Sequence, residues 1–561
     1  MPQEWNWKDI VEMTGKPSSV EVLKKDSDYL RGTLAECLQD PVTGSISHMD
    51  TRVIKFHGCY EQDDRDLREE RRKQKLEPAF QYFIRTRLPG GVVTPSQWLA
   101  LDEIAQKFGR GTLKLTTRQT FQIHGIVKRK LKPAMQAMNA VMIDSIAACG
   151  DVNRNVLCAT NPHLSEVHRT VWQQALDVSA YMKPKTRAYY EVWLDEKKVS
   201  TTENQEPFYG DTYLPRKFKI AISVPPVNDV DAFANDIGLI AIIENGKLEG
   251  YTVAVGGGMG KTYGDAKTYP RAATVIGFIR PDEVNHVCET IAGIQRDFGD
   301  RSERSQARMK YTIDHMGLDR FKEELNSRLG HALEAPRAFK FDHNGDRYGW
   351  VEGEDGLWHL TLYIEAGRVV DDVLLGLREI AGVHKGEFRV TTNQNVIIAR
   401  VAPEDRAQID ALVAKHGLDG YRGASGIRKN SMACVALPTC GLAMAESERY
   451  LPDLLLKLEA ILDRNGILDA PITLRISGCP NGCSRPFLAE IALTGRAIGR
   501  YSLNLGGNFT GERLNTVYLE NATEPEILAA LEPMIANYAK NRLEDEKFGD
   551  FLYRTGVLSA A

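Results

Sequence analysis

"GRGTLKLTTRQTFQIHGI" (109–126) and "HKGEFRVTTNQNVIIARV" (384–401) align without gaps at an offset of 275 residues. Thr-Thr-x-Gln is identical in both. The flanking residues alternate apolar and polar, the period-two signature of half-buried strands. A Glu-Ile-Ala triplet precedes each copy, at 103–105 and 379–381, so helix, glycine, strand and Thr-Thr recur in one order. The recurrence predicts a mixed α/β (α+β), multi-domain chain with an internal duplication about a pseudo-two-fold axis. A site shared by the halves belongs at their junction.

The halves differ in charge. Aligning "IRTRLPGGVV" with "LYIEAGRVV" on Gly90 and Gly367 sets Arg85 and Arg87 opposite Leu362 and Ile364, while Arg118 meets Asn393. Cations sit in the first half and a cysteine cluster sits in the second.

At 561 residues the chain is too long for a single core. Its 43% apolar and 26% charged residues, with no low-complexity tract, are those of an ordinary soluble protein. A net charge of −4 argues against broad nucleic-acid binding, so any bound anion must meet a local basic cluster. "MPQEWNWKDIVEM" has no basic stretch followed by an apolar run, and "IGLIAII" (237–243) is strand-sized, so neither a signal peptide nor a membrane span is read. A cytoplasmic protein is expected.

Around the repeats, residues 150–335 alternate strand and helix, with "YYEVWLD", "RKFKIAISV" and "IGLIAII" as strands and "PDEVNHVCETIAGIQRDFG" as helix. The expected division is an N-terminal extended arm (1–75), a first half-domain (76–145), a first α/β domain (146–340), a second half-domain (345–415) and a cysteine-bearing α/β domain (420–561). The charged run "QDDRDLREERRKQKLE" (62–77) reads as a solvated helix.

Nine cysteines make an odd count at low density, which excludes a secreted disulfide framework. Cys37, Cys59, Cys149, Cys158 and Cys288 are scattered and read mostly as small buried hydrophobes. Cys434, Cys440, Cys479 and Cys483 fall within 50 residues as C-x5-C and C-x3-C. Four thiolates suit iron–sulfur or zinc. The five-residue gap in "CVALPTC" fits a zinc knuckle poorly, and a larger cubane tolerates it. Iron–sulfur is the favoured reading from the residues, with zinc and no metal left open.

In "LPRKFKI" a two-residue period puts Lys217 and Lys219 on one face and Phe218 and Ile220 on the other. Two adjacent lysines repel unless an anion lies between them; alone, they would read as a solvated edge. "GGGMGKT" (256–262) is not a phosphate loop, because the required glycine is Val255. No dinucleotide fingerprint is evident. The glycines would let backbone approach a flat ligand closely.

"ISGCPNGCSRP" (476–486), "GDVNRNV" (150–156), "YLPRKFKI" (213–220), "TTRQTFQIHGI" and "LPGG" together resemble the sulfite and nitrite reductase family, in family order and over nearly the whole chain. "KFHGCYEQDDRDLREERRKQKLEP" (55–78) is similar to the haemoprotein components of the NADPH-dependent assimilatory members. The resemblance implies two ferredoxin-like half-domains and two larger domains holding sirohaem and a [4Fe–4S] cluster. It implies Cys434, Cys440, Cys479 and Cys483 as cluster ligands, with Cys483 also axial to the sirohaem iron. Sulfite would be held by Arg85, Arg154, Lys217 and Lys219, the lysines being the better proton donors. The carboxylate-rich sirohaem would meet Arg118, Gln122 and His124, which alternate along one strand, with Arg87, Arg308, Lys310 and Asn481 as further candidates. The implied activity is six-electron reduction of sulfite to sulfide. Electrons would come from a separate NADPH-dependent flavoprotein subunit. A ferredoxin-dependent sulfite reductase, a nitrite reductase and a non-catalytic metal scaffold are the alternatives.

Overall fold

The computed structural model describes residues 15–159, 164–185, 193–194, 197–198 and 206–559. The strand expected at "YYEVWLD" lies outside these, save Trp193–Leu194.

Two small antiparallel sheets form the centre. The first runs Cys59–Asp63, Phe80–Arg85, Phe121–Ile126, Leu113–Leu115 and then Arg368–Val369. The second runs Gly349–Glu352, Trp358–Leu362, Val396–Val401, Glu387–Val390 and then Val92–Val93. Each sheet thus takes its last strand from the other half. Cys59–Asp63, assigned to the arm by sequence, is the outer strand of the first sheet; its single short alternation is too brief to read. Only Arg68–Lys73 of the charged run is α-helical, and it is exposed as expected.

The exchange makes the halves share one core. Trp98, fully buried on the helix Pro95–Phe108, lies 5.3 Å from the Phe121 ring of its own half and 4.7 Å from Phe388 of the other. The helix starts on a capping box, Thr94 with Gln97, which satisfies otherwise orphaned N–H groups.

The exchanged strands leave two close turns that correct the alignment. Gly90 (φ 67°) matches Ala366 (φ 50°), and Gly91 (φ 74°) matches Gly367 (φ 70°). A Cβ on Gly91 would sit 2.4 Å from Val390 O, and one on Gly367 would sit 2.5 Å from Leu115 O. Arg85 therefore stands opposite Thr361 and Arg87 opposite Tyr363, one residue from the pairing the sequence alignment implies.

The duplication extends to the outer domains. Leu157–Cys158, Ile220–Ser223 and Ile237–Glu244 are parallel and are followed by antiparallel Lys247–Val255 and Thr274–Ile279. Ser431–Ala433, Leu474–Ser477 and Ile491–Ala497 are parallel and are followed by antiparallel Arg500–Leu505 and Thr516–Ala522. The topology is the same in both. The parallel strands are buried on both faces and so read as apolar runs rather than alternations.

The repeated glutamine ties each half-domain to its large sheet. Gln119 Oε1 accepts from Cys158 N (3.1 Å), and Gln394 Oε1 accepts from Ala433 N (3.2 Å). On the axis, buried Asp231 pairs with Arg485, and both residues hold left-handed backbone.

Candidate active site

The "CPNGC" turn follows the strand Leu474–Ser477, and all four clustered cysteines converge there. Burial pushes the Cys434 thiol up to about 12 and those of Cys440 and Cys479 up to about 11. In each, the next contribution is Cys483, which places the sulfurs within electrostatic reach of one another. Cys434 Sγ accepts from Gly478 N (3.3 Å) and Cys479 Sγ from the Asn481 amide (3.5 Å). The donor set fits a larger thiolate-held cluster, with N–H groups aimed at sulfur. Cys479 is buried, whereas Cys483 is exposed to the cleft.

That cleft is cationic. Arg154 N donates to Phe218 O (2.9 Å), so the 150–156 loop lies along the extended segment that carries the lysines into the strand Ile220–Ser223. Phe218 and Ile220 are fully buried, which turns Lys217 and Lys219 the other way, as the two-residue period predicts. No described residue gives either ammonium a hydrogen bond or an ion pair. Burial pushes both well below the ordinary lysine value. Arg216, Arg154 and Arg308 add to this for Lys217, and Arg118, Lys217, Arg308 and Arg154 for Lys219. Burial likewise lowers Arg118, with Arg154, Arg485 and Arg85 close by. Its Nη1 and Nη2 reach Asn235 and Asn155, but its buried Nε meets no acceptor. Uncompensated cations around an open face suit a polyanionic ligand, as sirohaem is, and a small oxyanion.

Arg85 and Arg154 are braced from behind by residues the sequence reading passed over. Arg85 Nη1 lies 3.0 Å from Cys149 Sγ. Burial raises the Tyr60 phenol to about 12, with Cys149 adding to that rise while Arg154 and Arg85 oppose it, and its ring stacks on Phe83 at 4.8 Å. Burial works against the Arg154 charge, yet Tyr60, Cys149 and Asp151 hold it above its ordinary value. Tyr60 was visible in "HGCYEQ", but nothing local separates it from a core tyrosine.

Gln122 lies opposite Arg85 in register, and its Oε1 is 3.0 Å from His124 Nε2. Burial, then Lys114, Arg85 and Arg110, push His124 down to about 3, so it is a neutral imidazole.

Three candidates are engaged elsewhere. Arg87 is buried and donates to Ala147 O, Asn153 O, Ser179 O and Ser179 Oγ at 2.8–3.1 Å, so it fixes the loop behind the cleft. Arg308 pairs with Asp236 at 2.9 and 3.0 Å. Lys310 donates to Gly258 O, Gly260 O and Tyr269 O. These last two shape the glycine run, which packs on the cysteine turn: Lys261 N donates to Pro480 O (3.0 Å). A Cβ on Gly257 would lie 2.2 Å from Phe233 O, and one on Gly260 would lie 3.3 Å from Asn481 O. The run is a cradle that side chains would fill.

The two Thr-Thr turns meet the site through Arg485. It donates to Thr117 O (2.8 Å) and Thr392 O (3.1 Å), while Thr117 Oγ1 donates to Cys483 O (3.0 Å). Across the axis Thr392 Oγ1 donates to Asp229 O, the counterpart of Cys483. A cavity of about 130 Å³ lies there, lined by Ala159, Pro225, Asp229, Thr361 and Ile397 among others. Strand registers set these opposite Cys434, Cys479, Cys483, Arg85 and Gln122, so the second copy of the cleft has neither thiols nor these cations.

Comparison with known proteins gives a consistent picture. A family described as the nitrite and sulphite reductase 4Fe-4S domain matches residues 178–333, the large domain without the cysteine cluster. The nitrite/sulfite reductase ferredoxin-like half domain matches twice, at 73–141 and 351–416. Proteins named "Sulfite reductase [NADPH] hemoprotein beta-component" are 58% identical in Geobacillus thermodenitrificans (552 residues; 97% of this chain, 96% of that one) and in Xanthomonas oryzae pv. oryzae (549 residues; 96% and 97%). The solved structure of the Mycobacterium tuberculosis NirA protein superposes with a TM-score of 0.79 at 25% identity, covering 96% of this chain and 97% of that one. No helix among the described residues is long and apolar enough to cross a membrane.

Proposed function

The chain belongs to the nitrite and sulphite reductase family, and from that premise we propose that it is the haemoprotein subunit of an NADPH-dependent assimilatory sulfite reductase. It reduces sulfite to sulfide with six electrons and releases the three oxygens as water. The observation that carries this reading is the set of cations whose charge burial disfavours, Lys217, Lys219 and Arg118, beside the one exposed thiol of a four-cysteine cluster.

Cys434, Cys440, Cys479 and Cys483 would hold a [4Fe–4S] cluster, and exposed Cys483 would also join it to the sirohaem. When bound, these groups supply the electrons and the metal on which sulfite is reduced. Arg118, placed by the Thr-Thr turn rather than by a strand, binds macrocycle carboxylates, with Gln122 and neutral His124 on the strand Phe121–Ile126 that follows. The glycine cradle, held by Arg308 and Lys310 and closed by Asn481, admits the ring edge. Arg87 contributes only by fixing the loop that bears Arg154. Arg85, preoriented by Cys149, and Arg154, held charged by Tyr60, Cys149 and Asp151, grip sulfite oxygens. Lys217 and Lys219, with depressed affinity for their protons, donate to the leaving oxygens.

The chain carries no dinucleotide fingerprint, so NADPH electrons arrive through a flavoprotein partner. The test is an absorption spectrum and a sulfide assay on protein from sirohaem-competent cells, with sulfite and a reduced viologen. A tetrapyrrole spectrum that changes on reduction, with sulfide released, is expected. A protein without tetrapyrrole, inactive after reconstitution, would overturn the reading.

A further inference from the structure

Electrons must enter through protein that covers the cluster, and outside the cleft Cys440 is a partly exposed ligand. Leu442 and Met444 follow it in the chain and are 68% and 39% exposed. Leu67, from the distant N-terminal segment, is 42% exposed. Isolated exposed leucines mean little, but these three are gathered. Arg65 N donates to Pro438 O (3.2 Å), and its Nη1 donates to Cys440 O (3.3 Å) and Ala443 O (2.6 Å). The arm is thereby pinned to the cysteine loop and brings Leu67 beside it.

We propose that this apolar patch is the docking surface for the flavin-bearing part of the electron-donating flavoprotein; the inference rests on the function given above. The surrounding charges select that occupant. Arg68 is paired with Asp63 (2.7 Å), Arg110 with Asp64 (2.6 Å), and Arg449 with Asp66 (2.7 Å) and Glu446 (3.0 Å). An apolar centre inside a rim of internally satisfied charges is the anatomy of a protein interface. These ion pairs leave little net cationic field among the described residues for a small, strongly acidic carrier such as a ferredoxin. At each encounter the reduced flavin loses one electron and the cluster gains it. NADPH on the partner restores the flavin, and the protons used at sulfite come from elsewhere.

The test compares two electron sources in the loaded enzyme. For Leu442→Glu/Met444→Glu, sulfide formation driven by NADPH and flavoprotein should fall about tenfold, chiefly through KM for the flavoprotein, as for a central apolar contact. Viologen-driven activity and the absorption spectrum should stay at parental values. Unchanged flavoprotein-driven activity overturns the proposal. If the charged pair also disturbs the spectrum, Leu442→Gln/Met444→Gln decides: a selective loss with flavoprotein supports the patch, and none refutes it. KM for the flavoprotein should change less than about twofold from low to physiological ionic strength. A steep salt dependence would mean an acidic carrier or a charge-steered site and would overturn it. A parent enzyme inactive with viologen would instead sink the functional reading.

Discussion

Among the described residues no carboxylate pairs with Lys217 or Lys219 in the cleft, and each variant there separates two roles. Lys217→Met should leave the absorption spectrum intact and lower kcat about a hundredfold, the order expected for loss of a positioned proton donor. Loss of the tetrapyrrole from a folded protein would make Lys217 a macrocycle contact instead. Cys483→Ser should abolish sulfide formation and change both the tetrapyrrole and iron–sulfur absorption; full activity would remove the bridging-ligand assignment. At this scale the period-two face was legible because strand geometry allows no other direction for alternate side chains. Arg87, Arg308 and Lys310 show the opposite case. A cation on a strand or helix reads the same whether its head faces a ligand or a ring of backbone carbonyls, and only tertiary structure decides. The brace of Tyr60 and Cys149 is invisible for the same reason, since Cys149 sits 64 residues from Arg85 in the chain.

Among the elements, the Thr-Thr-x-Gln turns were readable because their side chains bond backbone and so cannot drift. The matching large sheets were not readable, since buried parallel strands ask only for apolar residues and any of several will do. Strands of two residues, as exchanged between the halves, carry no periodicity at all. The exchange has a measurable consequence. Trp98→Ala opens a cavity between the half-domains and should cost about 3–5 kcal/mol, read by denaturant unfolding. Arg485→Met strips one partner from a buried pair and frees two carbonyls of the Thr-Thr turns. A loss of roughly 3–5 kcal/mol is expected, with Arg485→Lys recovering part of it.

For the whole molecule, buried cations dominate the response to pH. Burial lowers Lys24 and Lys55 to about 8 and Lys310 to about 7, and depresses Lys217 and Lys219 strongly. Above these values the unfolded chain, with lysines near 10.5, binds more protons than the folded one, so stability rises with pH. The cofactor-free protein should therefore gain stability from pH 7 to about 8.5, before buried thiols and phenols act in the opposite sense. Denaturant midpoints across that range check it, and a falling midpoint would refute it. Anionic ligands restore the lysine protons, so the loaded protein should show a flatter profile.

The pseudo-two-fold axis also gives the experimenter a matched control inside one chain. Thr117 and Thr392 make the same hydrogen bond to equivalent carbonyls, one at Cys483 and one at Asp229. Thr117→Val, at a half-buried hydroxyl, should cost less stability than Thr392→Val, at a fully buried one. Whatever turnover is lost by the first and kept by the second belongs to chemistry rather than to packing. The silent copy of the cleft thus calibrates the active one.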